Sequence, residues 1–309
     1  MNVIKEKQLT VIIRLHEFDN LNLLKECLFS LKGCDASDEI TVLLVCQNFD
    51  GDRTELQSSL SNEVEDFRCL FVEGEGDLRS LLIKRGFEEA STKYVTLLDF
   101  DDTTSVYGYR NALTKLEGDP NLGATFGKVV QYKASCKDGC RHVESKSQEY
   151  YTNNFRSYLV RNPFPIHACV INRQIVQDLP SMVNTDLVGC EDYWIFFNLI
   201  SSYRCALLPK DQLMGHYYHY VNATLNTDQS AFYCEKLLKK FDELVSERYQ
   251  EVYERYPLTR KNRKEWYLAG RKLKKTFIWK NLSVPQKCKA QLGYFAFKAA
   301  RLFTRKKHR

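Results

Sequence analysis

The first hundred residues alternate between short, unbroken apolar runs and helical repeats. Leu9 to Leu15 (LTVIIRL), largely β-branched and aliphatic, reads as a buried first strand. The polar loop His16-Glu17-Phe18-Asp19-Asn20 follows. Asp19 or Asn20 can cap a helix whose apolar stripe is Leu21, Leu24, Cys27, Leu28 and Leu31. Ile40 to Val45 reads as a second buried strand ending in the loop Gln47 to Gly51. Phe67 to Val72 reads as a third, after which Asp77 can cap a helix running to about Ala90. A fourth run begins at Tyr94 and stops abruptly at Asp99. Strands alternating with helices predict an α/β fold, a Rossmann-like and mostly parallel sheet wound with helices.

Beyond Asp99 the pattern loosens. It predicts a helix over Val106 to Leu116, a strand over Ala124 to Tyr132, and a polar, irregular loop over Lys133 to Ser157. Two prolines, Pro163 and Pro165, stiffen the approach to the apolar run Ala168 to Ile171. An aromatic helix is expected over Tyr193 to Ser202, and short strands over Ala206 to Pro209 and Leu213 to Val221, the latter carrying His216 and His219. Phe232 to Tyr256 is an amphipathic helix stopped by Pro257. No internal repeat is present. The organisation expected is a main domain over 1–225 and a helical extension over 226–309.

Composition narrows the class. At 44% hydrophobic and 27% charged residues, the 309-residue chain is ordinary for a globular protein. No apolar run reaches the ~20 residues of a spanning helix, and the N-terminus lacks the apolar core of a signal peptide. Eleven cysteines stand without paired spacings. These features together predict reduced thiols and a cytoplasmic setting. Cys136-x3-Cys140 lies near His142, but no second ligand pair follows at zinc spacing, so it reads as loop. The net charge of +6 conceals an asymmetry. From Leu258 to Arg309, 17 Lys or Arg face one acid, Glu265, a net of +16, and the rest of the chain carries −10. Such a tail is built to meet an anionic partner.

The chemistry is concentrated at Asp99-Phe100-Asp101-Asp102, three carboxylates in four positions at the carboxyl end of a strand, where open α/β sheets bind ligands. Crowded like charges raise one another's pKa. A divalent cation relieves that repulsion, and oxygen ligands suit Mg²⁺ or Mn²⁺. For a lone D-x-D the plainer reading, a turn or helix cap, is the better one. Four segments in order change the balance: VIIRLHEFDNLNLLKECLFSL, RGFEEASTKYVTLLDFDD, NPFPIHACVINRQIV and GCEDYWIFFNLISSYRCALLP.

Over residues 9 to 221 these segments resemble the family 2 inverting glycosyltransferases of the GT-A fold, of the kind that builds bacterial surface polysaccharide and lipopolysaccharide. The resemblance implies a nucleotide-sugar donor and a divalent metal, with Asp101 and Asp99 as ligands and Asp99 also near the ribose. Asp102 is a possible substitute for either. It implies Asp192, beside Glu191, as the general base for the acceptor hydroxyl; the plainer reading makes both acids first-turn residues favoured by the helix dipole. It implies His219 as a contact to metal or diphosphate, with His216 the competing candidate and a packed histidine the plainer reading. His167 falls on the acceptor side. The donor loop would include Leu15, His16 and Glu17, and Arg79 could approach the diphosphate unless it is simply solvated.

The chain departs from that family in two places. Arg14-Leu15-His16-Glu17 stands where Pro-Thr-Tyr-Asn is usual, and His16 can still stack on a base. Cys46-Gln47-Asn48 stands where the second strand usually ends in an acid that reads uracil. The Gln47 amide both donates and accepts, so guanosine and deoxythymidine donors stay open beside uridine.

In the tail, Leu292, Phe295, Ala296, Ala299, Leu302 and Phe303 follow helical spacing, with Lys298, Arg301 and Arg305 on another face and Trp266 and Trp279 upstream. A basic amphipathic helix suits an anionic membrane surface; packing on the main domain is the plainer alternative. The expectation is a peripheral protein at the inner membrane face, meeting the membrane through 258–309 and transferring sugar to a glycan or lipid-linked glycan, with no nucleic-acid partner. A nucleotidyltransferase is the rival enzyme, but Val11 to Asn20 lacks its Gly-rich phosphate loop. A non-catalytic, basic-tailed binding protein is the other rival.

Overall fold

The computed structural model describes residues 6–220, except 17, 19–20, 138, 160–161 and 188–190. Glu17, both capping candidates Asp19 and Asn20, and the whole extension expected over 226–309 lie outside the described residues. The chain divides into two compact units, Met1–Tyr151 with Phe164–Thr227 and Thr152–Pro163 with Asp228–Arg309. The described part of the second is short and contains one 3-10 turn, Phe155–Leu159.

The first unit is built on four strands, β1 (Leu9–Leu15), β2 (Ile40–Gln47), β3 (Phe67–Val72) and β4 (Tyr94–Asp99). All four are parallel, with β1 between β2 and β4 and β3 outside β2. Every residue of β1 is buried, including the polar Thr10 and Arg14 among its apolar side chains. Register pairs Arg14 with Asp99, so two opposite charges emerge side by side at the carboxyl end of the sheet.

Helix α1 (Leu21–Lys32) buries Leu24, Cys27, Leu28 and Leu31 of the predicted stripe, with Leu23 buried in place of Leu21. Each fully buried leucine contributes roughly 1.5–3 kcal/mol of apolar transfer. A helix the sequence pattern does not reveal, α2 (Arg53–Ser61), follows β2. Only Leu56 and Leu60 are buried in it, too few for a periodic signal, and its start rests on Asp52 Oδ1 accepting from the Thr54 and Glu55 amides. Helix α3 (Arg79–Glu89) lies against β1. A Cβ on Gly86 would sit 2.5 Å from Ile12 Cγ2, so glycine permits that approach.

After β4 come the two-residue strand β5 (Thr103–Thr104), α4 (Gly108–Glu117), β6 (Ala124–Phe126) and β7 (Lys128–Lys137). The single strand expected over 124–132 is therefore two, divided at Gly127 between two sheets. The expected loop over 133–157 is also corrected, because β7 continues into an antiparallel hairpin with β8 (Cys140–Tyr150). Nearly every β8 residue is exposed, so no alternation marked it as a strand. Cys136 and Cys140 lie near the tip of the hairpin, both exposed to solvent.

Strand β9 (Cys169–Asn172) runs antiparallel between β4 and β6, then α5 (Glu191–Ser202), β10 (Cys205–Leu207) and β11 (Leu213–Tyr220) complete the unit. The large sheet has the order β10-β6-β9-β4-β1-β2-β3, and a smaller one β5-β11-β7-β8. The mixed α/β, Rossmann-like architecture is as expected. Among the described residues no helix is long and apolar enough to cross a membrane.

Candidate active site

The carboxyl end of β4 and the start of α5 supply the acids. Asp99 ends β4. Its Oδ1 accepts from Arg14 Nε at 2.8 Å, and the same guanidinium donates from Nη1 to Glu191 Oε1. Arg14 and Glu191 are almost fully buried, at 5% and 6% side-chain exposure. Burial works against the Arg14 charge, but Asp99 and Glu191 more than offset it. Asp99 in turn titrates below the usual carboxylate range: burial would raise it, and Arg14 outweighs burial.

Asp101 has the opposite environment. Burial first, then the Asp102 and Asp99 charges, push its carboxyl well above the ordinary range. Asp102 is fully buried. Its Oδ1 accepts from the Tyr218 amide at 2.9 Å and its Oδ2 lies 3.2 Å from His167 Nδ1, an electrostatic contact without linear hydrogen-bond geometry. Burial raises Asp102, and His167 pulls it part of the way back. Asp102 is thus held by the chain itself, and Asp101 is the carboxylate with excess negative charge around it.

At α5, Asp192 Oδ1 accepts from the Tyr193 amide at 2.6 Å. Burial and the adjacent Glu191 charge raise its pKa to about 7. A carboxyl titrating near neutrality is matched to proton transfer at physiological pH.

Arg141, on the unexpected hairpin, braces the backbone at Asp101. Its guanidinium donates to the Asp101 carbonyl at 2.9 Å and to Tyr220 Oη at 3.1 Å, lies 3.6 Å from the Tyr218 ring centroid, and pairs with Glu26 at 3.4 Å. Arg141 and Arg14 are the two site residues that sequence reasoning passed over. Arg14 was legible in principle, as a charge inside an otherwise apolar strand. Arg141 was not, because it sits in a stretch with no strand pattern.

This architecture recurs in solved glycosyltransferase structures. TarS of S. aureus (residues 1–349) matches with a TM-score of 0.57 at 12% identity, covering 93% of this chain and 88% of that one. The same protein in complex with UDP-GlcNAc matches at 0.55 and 13% over the same shares. The mannosyltransferase PcManGT from Pyrobaculum calidifontis, in complex with GDP-Man and Mn²⁺, matches at 0.50 and 19%, over 98% and 80%. The chain has the GT-A glycosyltransferase fold. No protein-family model and no curated protein sequence matches it, which fits identities this low.

The residues expected on the donor side occupy different surroundings. The Leu15 side chain is fully buried, so only its backbone is available to a ligand. His16 meets Phe100 edge-on at 5.6 Å between ring centres. Gln47 is engaged by its own chain, with Nε2 donating to the Gly76 carbonyl at 2.9 Å and Oε1 accepting from the Leu78 amide at 3.2 Å. Asn48 makes a matching pair with Gly74. The two amides hold the 74–78 segment beside the end of β2 rather than standing free. Arg79 is likewise committed, donating to both oxygens of Asp77.

The two histidines of β11 point to opposite faces of the strand. His216 packs among Tyr132, Tyr218 and Thr103, with Nδ1 3.3 Å from Thr103 Oγ1, whereas His219 is exposed opposite Lys133. Among the described residues no group of three or more His, Cys, Asp or Glu side chains converges so as to hold a metal ion. What fits a cation is the donor set: an all-oxygen cluster at Asp101 whose mutual repulsion a divalent ion would relieve.

Proposed function

We propose that the chain is an inverting glycosyltransferase that moves a sugar from a nucleotide-sugar to a glycan or lipid-linked glycan hydroxyl. The observation that carries this reading is the continuous link of Asp99 through Arg14 to Glu191 and its neighbour Asp192. It joins a carboxylate cluster suited to a cation and a carboxyl with a pKa of about 7 within one GT-A fold. The neighbours support the donor class, since TarS has been solved with UDP-GlcNAc and PcManGT with GDP-Man and Mn²⁺.

Asp101 and Asp99 would hold the cation, Mn²⁺ or Mg²⁺, and His219 is the third contact that the family resemblance suggests. The ion supplies neutralisation of the charge that leaves with the nucleoside diphosphate. Asp192, ionised, takes the proton of the acceptor hydroxyl as its oxygen bonds the anomeric carbon from the face opposite the departing diphosphate. That geometry inverts the carbon. Glu191 is paired with Arg14, so the proton falls to Asp192. The acceptor is placed at the inner face of the cell membrane, where the +16 segment over 258–309 meets anionic lipid.

The test is a panel of uridine, guanosine and deoxythymidine nucleotide-sugars with Mn²⁺, read by thermal shift and then by transfer to glycan acceptors. At least one donor should raise the melting temperature, and Asp192→Asn should keep that shift while losing transfer. A panel that neither stabilises the protein nor turns over sinks the proposal.

A further inference from the structure

We infer that Arg14 is a positioning residue that locks the acceptor-side carboxyl to the donor-side carboxyl, acting on Asp192 through Glu191. This rests on the glycosyl-transfer reading of the site. Parallel pairing fixes Arg14 beside Asp99, so its backbone is set by the core of the sheet. From there the guanidinium reaches in two directions. Nε and Nη2 both donate to Asp99 Oδ1, at 2.8 and 2.5 Å, and Nη1 donates to Glu191 Oε1.

A guanidinium is a rigid planar fork, so it cannot turn toward one acid without losing the other. Glu191 Oε2 is buried without a hydrogen-bond partner, so the Arg14 contact is what fixes this carboxylate. Glu191 is the first residue of α5, and Asp192, next in the chain, is held through its own bond from the Tyr193 amide. Pinning Glu191 therefore pins the first turn of α5 and the direction of the Asp192 carboxyl. Lysine, a single point charge on a flexible stem, cannot make both contacts at once.

The experiment compares Arg14→Lys, Arg14→Met, Glu191→Gln and the double variant Arg14→Met/Glu191→Gln in the full chain. Amide hydrogen exchange at 191–193 needs no substrate. It should quicken by about tenfold or more in both Arg14 variants and stay unchanged in Asp101→Asn. In transfer assays, Arg14→Lys should keep the fold and lose kcat by about 30-fold or more. Glu191→Gln should lower kcat with donor KM within about threefold, because it acts on the acceptor side. The double variant should lose no more than Arg14→Met alone, since both changes break one lock.

Wild-type kcat in Arg14→Lys, losses that multiply in the double variant, or unchanged exchange at 191–193 would each overturn the inference. If Arg14→Met fails to fold, Arg14→Lys and Glu191→Gln carry the same test. An intact exchange response in a wild-type protein that transfers no sugar counts against the glycosyl-transfer reading, not against the lock.

Discussion

Asp102 and His167 face each other at 3.2 Å with both side chains about 1% exposed, joining the end of β4 to the turn that precedes β9. These two segments stand 65 positions apart and carry, respectively, the carboxylate cluster and the stretch expected on the acceptor side. Because the second Asp102 oxygen receives the Tyr218 amide, this acid is consumed in holding three segments together.

His167→Leu removes the partner and leaves Asp102 Oδ2 buried. The expected cost is about 1–3 kcal/mol, the price of an unsatisfied buried polar group. His167→Leu combined with Asp102→Asn should recover part of that loss, because the uncompensated charge goes too. Chemical denaturation of the single and double variants measures both quantities, and equal stability of His167→Leu and wild type refutes the pairing.

Asp101→Asn should separate stability from function. Burial and the neighbouring acids hold the Asp101 carboxyl well above the usual range. A folded-state pKa raised above the unfolded value gives stability that is complete at low pH and lost as pH rises. At pH 7 and above, without metal, Asp101→Asn should therefore melt at a higher temperature than wild type. Adding Mn²⁺ with a nucleotide-sugar should stabilise wild type and leave the variant unmoved, with transfer abolished. A variant that still responds to Mn²⁺ removes Asp101 from the ligand set.

Asp192 carries a pH signature of its own. With a pKa of about 7 in the folded chain against an ordinary carboxylate unfolded, its protonated form favours folding. That contribution is complete below the unfolded pKa, near 4, and is lost as pH rises through about 7. The melting-temperature advantage of Asp192→Asn should therefore grow between pH 4 and 8. Transfer by wild type should rise over the same window as the base ionises, and Asp192→Asn should lower kcat by about 10²–10⁴-fold. A wild-type kcat that is flat from pH 5 to 8 argues for a different base.

Much of the fold was legible because its core strands are buried on both faces. β1 and β3 have the limits their apolar runs predict, and α1 follows its stripe. What escaped was structure whose residues face water. The hairpin of β7 and β8 carries little alternation, and α2 is held by one aspartate cap and two leucines. The carboxylates were legible for a chemical reason, since three acids closing an apolar strand need compensation. Their partners were not. Arg14 pairs with Glu191 across 177 positions and Arg141 reaches Asp101 across 40, and no local pattern encodes either contact. Gln47 shows the converse: its residue type suggested a base reader, and its position gives it a loop to hold.

Gly215 tests how tightly the small sheet grips the acids. A Cβ there would lie 2.4 Å from the Thr103 carbonyl oxygen and 3.1 Å from His167 Cδ2. The first contact is backbone and cannot yield by a rotamer change. Gly215→Ala should cost about 1–3 kcal/mol through overpacking and displace the segment that follows Asp102. Donor affinity should weaken along with stability. A variant with wild-type stability shows that β5 and β11 part without cost.

The tail yields the last prediction, from charge alone. A net of +16 over 258–309, with each cation near an anionic leaflet contributing about 1 kcal/mol, should give binding that is strong at low salt and collapses as salt screens it. The apolar stripe of Leu292, Phe295, Leu302 and Phe303 adds a component that salt does not remove. Truncation after Pro257 should release the protein from anionic vesicles while leaving transfer to a small soluble acceptor largely unchanged. Co-sedimentation of full-length and truncated protein with anionic and neutral vesicles, at low and high salt, separates the two components. Equal binding by both forms refutes the membrane role. A truncated protein that no longer folds assigns the stripe to packing on the main domain instead.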